Sequence, residues 1–364
     1  MSNQSYKPLK SGDTIGILGG GQLGRMLAMS AAKFGLKTII LEPGSTCPAA
    51  QTSNQHINAA YDDMNAVKEL VELSDLVTYE FENIPLDTVN FLEENTMLFP
   101  GSLALAKSQD RLIEKQFINS LGIATAPYYT VEKIEDIKAG LHKIGPKAIL
   151  KTRRFGYDGK GQTRLDSSMS ADELGSAYAT IGNAPALLEG FITFSREISI
   201  IIARGRTGDA TCYAPAENVH KDGILHTSTL PAAISDETAG LAKEIATKLV
   251  NALEYVGVMG VEFFVEPDGG LIVNEIAPRV HNSGHWTEAA CSTSQFDQHI
   301  RAIAGWPLGS TVNHSNCVME NLIGDDIDRV PHLLEQSSIF LHLYGKSEAR
   351  PGRKMGHFTI LSKK

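Results

Sequence analysis

The sequence predicts a mixed chain, part α/β and part α+β, that opens with a parallel sheet and ends in β-rich structure. Three observations predict it. A length of 364 residues should hold two or three domains with substantial cores. Near the N-terminus a strand, a glycine turn, a helix and a second strand follow one another as a βαβ unit. Later, two apolar runs that carry carboxylates are joined by turn residues as a hairpin, and the tail from about Thr311 reads as further strands.

In the N-terminal part, Thr14 to Leu18 is a short apolar strand followed at once by Gly19-Gly20-Gly21-Gln22-Leu23-Gly24. Arg25 to Phe34 reads as a helix with Gly35 as its C-terminal stop, and Thr38 to Leu41 is a second buried strand ending at Glu42. A Gly-x-Gly-x-x-Gly turn with an acidic residue about 20 positions on is the dinucleotide pattern. The same geometry serves a single phosphate or a ribose at a helix N-terminus, so both readings stay open. Asp75 to Asn83 continues the sheet and delivers Glu80, Glu82 and Asn83 at the strand's C-terminal end, where open parallel sheets bind ligands. Side chains two apart on a strand share a face, so Glu80 and Glu82 are expected to point the same way. Phe99-Pro100-Gly101 closes this part.

The centre of the chain holds its most informative stretch, Ile149 to Gln162. A buried strand end delivers Lys151, Arg153 and Arg154 follow, and Gly156, Gly159 and Gly161 fall close together. Glycines accept positive φ, and successive N–H groups in such a loop make a concavity for anions. A polyphosphate fits this. So does a plain hairpin turn with solvated basic residues, and no Gly-Lys-Ser/Thr opens a helix here as in a P-loop. Before this stretch, Ser108 to Arg111 opens a helix that runs to about Leu121, and a second helix covers about Ile134 to Ile144. After it, Ala186 to Ile192 is a strand with an acidic end. Ser195 to Ala203 is another, with Glu197 near its start, and Asn218 to His220 is placed in a polar turn. An amphipathic helix spans about Glu237 to Leu253.

Gly260 to Glu266 and Gly269 to Arg279, joined by Pro267-Asp268-Gly269-Gly270, are the carboxylate-bearing hairpin. Pairing brings Glu262 close to Asn274 and Glu275. Two buried carboxylates side by side cost several kcal/mol unless neutralised. A magnesium ion, with its preference for hard oxygen ligands, is the expected remedy. Arg279 to Thr287 is a polar loop expected to contact an anion. His281 and His285 stand four apart, but Asn282-Ser283-Gly284 breaks the helix a zinc pair would need. A helix from Gln295 to Ile303 leads to the tail, where Lys346, Arg350, Arg353 and Lys354 are conspicuous in an acidic chain.

Composition narrows the partners. The net charge of -9 argues against a general nucleic-acid binder, while a local basic pocket for a small anion remains compatible with it. No apolar run approaches the roughly 20 residues that span a bilayer, and Met1 to Lys10 carries no signal-peptide core. Cys47, Cys212, Cys291 and Cys317 are scattered, which suits reduced thiols in a cytoplasmic protein.

Taken together these motifs resemble one family, the N5-carboxyaminoimidazole ribonucleotide synthetases, ATP-grasp ligases of microbial purine biosynthesis. The resemblance rests on Gly19 to Met26, Tyr79 to Asn83, Gln109 to Arg111, Lys151 to Arg154 with Gly156 to Gln162, and Asn274 to Arg279 with His281 to Thr287. Tyr344 to Lys346 and Arg353 to His357 complete it. It implies an N-terminal mononucleotide-binding-like domain over residues 1–100, a central ATP-grasp domain over 101–305 and a small C-terminal domain over 306–364. It places ATP beneath the loop formed by Gly156, Tyr157, Asp158, Gly159, Lys160, Gly161 and Gln162, with its phosphates on Arg111 and Lys151. The adenine end falls to Glu189, Gly190, Phe191 and Ile192, the ribose to Glu197, with His220 and Asn274 nearby, and magnesium to Glu262 and Glu275. Gln22, Leu23 and Glu82 are assigned to 5-aminoimidazole ribonucleotide and Lys346 and Arg353 to its phosphate. Lys151 and Arg279 would spread negative charge, and Tyr157 and Asp158 would orient or deprotonate the attacking amine. The implied reaction uses ATP and bicarbonate to carboxylate that amine, in a cytoplasmic homodimer, with no NAD and no biotin. Other ATP-grasp carboxylate–amine ligases and an NAD oxidoreductase built on the first domain are the competing readings.

Overall fold

The computed structural model of the chain describes residues 7–156 and 159–364. Thr14–Leu18 (β1), Lys37–Leu41 (β2), Gln55–Ile57 (β3) and Leu76–Tyr79 (β4) pair in parallel in the order β3-β2-β1-β4. The strands are apolar nearly throughout because helices cover both faces. Gln22–Lys33 (α1) supplies Met26, Leu27 and Ala31 to one side. Met64–Leu73 (α2) and Leu86–Asn95 (α3) supply Val67, Leu70, Val89 and Leu92 to the other.

Helix α1 begins at Gln22 rather than at Arg25. No side chain within Gly-Gln-Leu-Gly caps it; its N-terminal cap arrives from Glu80, whose carboxylate accepts the N–H of Gly21 and that of Gly24, the latter at 2.6 Å. A cap delivered from a distant strand leaves no local mark in the sequence.

Ser102–Ser108 (α4) and Arg111–Ser120 (α5) lead to a small antiparallel sheet. Its strands are Tyr128–Val131 (β5), Lys147–Thr152 (β6), Gln162–Asp166 (β7) and Ala186–Gly190 (β8), in the order β5-β8-β6-β7. Glu135–Ile144 (α6) and Ala171–Thr180 (α7) close a core of their own with it, including Ile137, Leu141, Leu150, Leu165, Leu174 and Leu188.

The third sheet has nine strands: Arg196–Arg204 (β9), Ala210–Cys212 (β10), Ala216–Lys221 (β11), Ile224–Leu230 (β12), Gly257–Val265 (β13), Leu271–Ala277 (β14), Asn316–Ile323 (β15), Ile339–Leu343 (β16) and Lys354–Ser362 (β17). Their order is β14-β13-β9-β11-β12-β15-β17-β16, with β10 beside β9. Asp236–Ala252 (α8) packs Ala242, Ala246 and Leu249 on one face. After the short Thr287–Ala290 (α9), Gln295–Ala304 (α10) packs Phe296, Ile300 and Ile303 on the other; Val330–Leu333 (α11) lies between β15 and β16. The β-rich tail is therefore continuous with the central sheet: β15 pairs with β12, Ser228 opposite Met319.

Polar contacts lock the first sheet onto this body. Asp297 on α10 accepts from Ser30 Oγ at 2.8 Å and pairs with Lys33 Nζ at 2.7 Å. His299, two residues further along α10, has Nε2 2.9 Å from Thr78 Oγ1 and accepts Val258 N–H at Nδ1, 3.1 Å away. The nine-stranded and four-stranded antiparallel sheets then face each other across a cleft that the end of the parallel sheet closes.

Candidate active site

The floor of the cleft is the β13–β14 hairpin, with the expected register. Glu262 stands opposite Glu275, with a bulge between Glu262 and Phe263. Glu262 Oε1 lies 3.4 Å from His281 Nε2, and its Oε2 accepts from Asn274 Nδ2 at 3.4 Å. Burial, reinforced by the charge of Glu275, pushes the Glu262 carboxyl up to about 7. Glu275 goes the other way. Burial alone would raise it, but Arg111, 3.0 Å away, and Lys151 outweigh that and hold it at about 2. Asn274 Oδ1 is buried without a partner. Two carboxylates and a spare amide oxygen form a donor set of hard oxygens, which suits magnesium.

Opposite, β6 and β8 of the small sheet hold a buried charge cluster. Glu189 lies between Lys151, at 3.0 Å, and Lys115, at 3.4 Å. The lysines and Arg111 overcome the upward pull of burial and hold the Glu189 carboxyl at about 2. Lys115 and its neighbour Glu114 were not singled out in the sequence. Glu114 accepts Ile276 N–H at 2.7 Å, and burial plus the charge of Glu275 lift it to about 8. A signal was present: Arg111, Glu114 and Lys115 fall at i, i+3 and i+4, one face of α5. Of the segment assigned to adenine, Phe191 lines the cleft, whereas Glu189, Gly190 and Ile192 lie behind it.

The glycine loop is indeed a hairpin connection, since Lys151 pairs with Gln162 across β6 and β7. Gly159 and Gly161 take positive φ, 76° and 68°, but Gly156 does not; the neighbouring left-handed residue is Phe155, at 63°. The basic residues are not merely solvated. Arg153 binds Asp110, with NH2 2.8 Å from Oδ2, and Glu132 at 3.2 Å, while Arg154 donates to Gln109 Oε1 at 3.0 Å. They tie the loop's first arm to the start of α5. Lys160, Gly156, Gly159 and Gln162 line the cleft, and Tyr157 and Asp158 lie outside the described residues.

At the end formed by the parallel sheet, Glu80 and Glu82 part company, against the shared-face expectation. The strand stops at Tyr79, so the alternation no longer applies. Glu80 turns under the glycine turn as described, and Glu42 accepts Gly20 N–H at 2.9 Å. These carboxylates fill the positions a pyrophosphate would take in a dinucleotide fold. The close approach also explains the glycines: a Cβ at Gly19, whose φ is 108°, would lie 2.3 Å from Glu80 Cγ, and one at Gly21 2.6 Å from Oε1. Glu82 instead reaches across to Arg279, with Oε2 2.6 Å from Nε and Oε1 3.4 Å from NH2. Gln22, Leu23, Glu82 and Arg279 line the same end of the cleft.

Two further expectations change. His220 and Asn218 lie within β11, not in a turn, and His220 Nδ1 sits 2.8 Å from Glu197 Oε2. Of the Arg279-to-Thr287 run, Arg279, His281 and Asn282 line the cleft, whereas Ser283 to Thr287 is buried core. Thr287 Oγ1 donates to Gly284 O at 2.6 Å, Gln295 Nε2 reaches His281 O at 2.7 Å, and His285 and Trp286 have no exposure. Several of its polar groups are spent internally, while His285 Nε2 and Trp286 Nε1 are buried without partners. Lys346 and Arg353 do not line the cleft; Lys346 Nζ donates to Lys354 O at 2.6 Å and Arg353 NH1 to Glu348 O at 2.8 Å, while Lys354 itself lines it.

The cleft measures about 670 Å³. A paired-carboxylate hairpin facing a lysine-bearing small sheet, with a glycine hairpin between them, defines an ATP-grasp ligase. Family models agree along the chain: a ribonucleotide synthetase preATP-grasp domain over residues 13–109, an ATP-grasp domain over 116–296 and a phosphoribosylaminoimidazole carboxylase C-terminal domain over 317–364. The chain is 60% identical to the N5-carboxyaminoimidazole ribonucleotide synthase of Brucella melitensis over 96% of its own length and 97% of that protein. It is 41% identical to that of Bacillus subtilis, covering 99% and 94%. Among solved structures it resembles the Staphylococcus aureus N5-carboxyaminoimidazole synthetase complexed with ADP, with TM-score 0.94, 39% identity and coverage of 99% and 95%. It also resembles the Aspergillus clavatus synthase in complex with ADP and 5-aminoimidazole ribonucleotide, with TM-score 0.90, 30% identity and coverage of 97% and 94%. The chain belongs to the N5-carboxyaminoimidazole ribonucleotide synthase family.

Proposed function

We propose that the chain carboxylates the exocyclic amine of 5-aminoimidazole ribonucleotide, using ATP and bicarbonate and releasing ADP and phosphate. The observation that carries this reading is the meeting, in one cleft, of Gln22, Leu23 and Glu82 with Lys151, Arg111, Glu262 and Glu275. Bicarbonate is a poor electrophile; attack of its oxygen on the γ-phosphate gives carboxyphosphate, whose carboxyl carbon the amine can capture. Most of the catalysis of such a step is positioning and charge neutralisation. Lys151, held by Glu189, and Arg111 supply fixed positive charge to the phosphates. Glu262, Glu275 and Asn274 would hold magnesium, which when bound neutralises phosphate charge. Arg279, braced by Glu82 at the parallel-sheet end of the cleft, spreads charge on the carboxyl being transferred. Tyr157 and Asp158 remain candidates for orienting or deprotonating the amine.

Lys346 and Arg353 are assigned to the ribonucleotide phosphate, and Glu189 to Ile192, Glu197 and His220 to the nucleoside end of ATP. A cytoplasmic homodimer belongs to the same reading; among the described residues no helix is long and apolar enough to cross a membrane. The test is coupled ADP release with and without 5-aminoimidazole ribonucleotide, in bicarbonate-depleted and replete buffer. ADP release that needs both supports the reading. Release driven equally by formate or by biotin assigns the cleft to another carboxylate–amine ligase.

A further inference from the structure

Outside the cleft, α9 and the β16–β17 hairpin bring together two imidazoles and a carboxylate. His342 and His357 are directly opposed across β16 and β17, so their side chains leave the sheet on the same face. Glu288 approaches from α9, with Oε2 3.1 Å from His342 Nδ1 and 3.4 Å from His357 Nε2. One ligand atom from each of the three lies within 4.8 Å of the others. Tetrahedral coordination at about 2.0–2.1 Å sets neighbouring ligands about 3.3 Å apart. The two measured edges already match that, and only the His–His edge has to close.

The surroundings are those of a ligand site. The far nitrogen of His357, Nδ1, is 2.9 Å from Tyr344 Oη, and Tyr344 is fully buried. Such an outer partner fixes the ring and leaves Nε2 to act as donor to a metal. The His342 and His357 rings stack at 5.5 Å and 20°. Behind them His285 lies 4.7 Å from His357, ring to ring, with its own Nε2 buried and without a partner. Exposure rises from 3% for the His357 side chain to 14% for His342 and 32% for Glu288, so one side of the group is walled and the other opens to solvent. A small cavity of about 170 Å³, bounded also by Phe340 and Thr359, lies at that opening.

We propose that Glu288, His342 and His357 form a binding site for a divalent transition-metal ion of the zinc class, which ties α9 to the edge hairpin β16–β17. The mixed imidazole and carboxylate donors distinguish it from the all-oxygen set in the cleft, since nitrogen ligands favour zinc-class ions over magnesium. The open side leaves a fourth position for water. The ion would sit beneath the connection between β16 and β17 that carries Lys346 and Arg353.

The test is zinc titration of the EDTA-treated full chain against a chromophoric chelator, with excess magnesium present throughout. Cobalt(II) absorption reports the ligand set. Glu288→Gln and His342→Ala are the variants, and Glu262→Gln is the control for the cleft; circular dichroism checks that each is folded. The expected result is one tight equivalent of zinc in the wild type and in Glu262→Gln, weakened at least about 100-fold in the other two, where losing a direct ligand exceeds the 10–100-fold typical of an outer partner. No tight equivalent in the wild type, or one that survives in Glu288→Gln and His342→Ala, overturns the proposal. Zinc lost only in Glu262→Gln assigns it to the cleft and overturns it as well.

Discussion

Replacing Glu80 by alanine should both destabilise the protein and create an anion site it does not now have. The Glu80 carboxylate accepts the amides of Gly21 and Gly24 at the N-terminus of α1, and Glu42 takes that of Gly20. A hydrogen bond to a charged group contributes about 1.5–3 kcal/mol, so two give at most about 3–6 kcal/mol. Burial raises the Glu80 carboxyl, meaning that desolvation already offsets part of that gain. A net loss of roughly 2–4 kcal/mol follows, within the range for a lost buried network. Trp306 is a suitable reporter, because its Nε1 donates to Leu9 O and its ring meets Phe34 edge-on at the end of α1. Urea unfolding followed by its fluorescence gives the loss directly. In Glu80→Ala the vacated turn should accept sulfate or phosphate. At ten times its dissociation constant such an anion adds about 1.4 kcal/mol to the variant and little to the wild type. A variant within about 0.5 kcal/mol of wild type, the ordinary surface range, would refute the capping role. Equal stabilisation of both proteins by the anion would refute the claim that the carboxylate stands where a phosphate could.

Glu275→Gln removes a proposed metal ligand and the partner of Arg111 at nearly constant volume. ADP formation should fall by about 10²–10³-fold with the fold intact, and near-normal turnover at saturating magnesium would take Glu275 out of the metal site. Lys346→Ala or Arg353→Ala should lower kcat/KM for the ribonucleotide roughly 10- to 100-fold while ATP binding is unchanged; equal weakening of ATP binding would assign the tail to the nucleotide or the fold. Burial depresses His299 to about 3, and its Nδ1 is committed as an acceptor from Val258 N–H. Below about 6.5 the unfolded chain takes up a proton there that the folded chain does not, so this group's stability is present at neutral pH and is lost as pH falls towards 3. His299→Gln should therefore flatten the stability–pH slope between pH 6 and 4 by about 1.4 kcal/mol per pH unit, and an unchanged slope would contradict the assignment.

Local patterns carried much of the fold and some of the site. β1 and β2, the hairpin register of Glu262 with Glu275, and helices α5, α6, α8 and α10 all announce themselves by local pattern, and the structure adds side-chain caps from Asp110, Ser235 and Ser294. What the sequence could not show is where a side chain goes after its strand ends. Glu80 and Glu82 are two residues apart, yet one caps α1 and the other braces Arg279, because the chain has left β4 at Tyr79, before either of them. The same limit hid the fate of the Asn282-to-Thr287 run, whose polar composition suggests a surface loop but whose groups bond within the core, Thr287 Oγ1 to Gly284 O and Asn282 Nδ2 to Asn321 Oδ1. The tail's strands were legible, but not their partner, since pairing of β15 with β12 joins residues far apart in the chain.

Three of the cations that line the cleft, Lys151, Arg111 and Arg279, divide into two kinds by what their carboxylates do. Glu189 is buried, is absent from the cleft lining and is shared by Lys115 and Lys151, so Lys151 is not matched to it one to one. The carboxylate cannot follow a ligand out, and the part of the Lys151 charge it leaves uncancelled faces the cleft. Arg111 with Glu275 and Arg279 with Glu82 are one-to-one pairs whose carboxylates themselves line the cleft. Such pairs can exchange partners. Under the proposed reading, polyphosphate is drawn first to the fixed excess at Lys151. Were Glu275 to hold magnesium, Arg111 would be left to face the phosphates with its charge no longer cancelled. Arg279 stays with Glu82 until negative charge appears on the transferred carboxyl group. A cleft of permanent free cations would bind any anion; one in which Arg111 and Arg279 are matched until the ligands arrive favours the full set of substrates over phosphate alone.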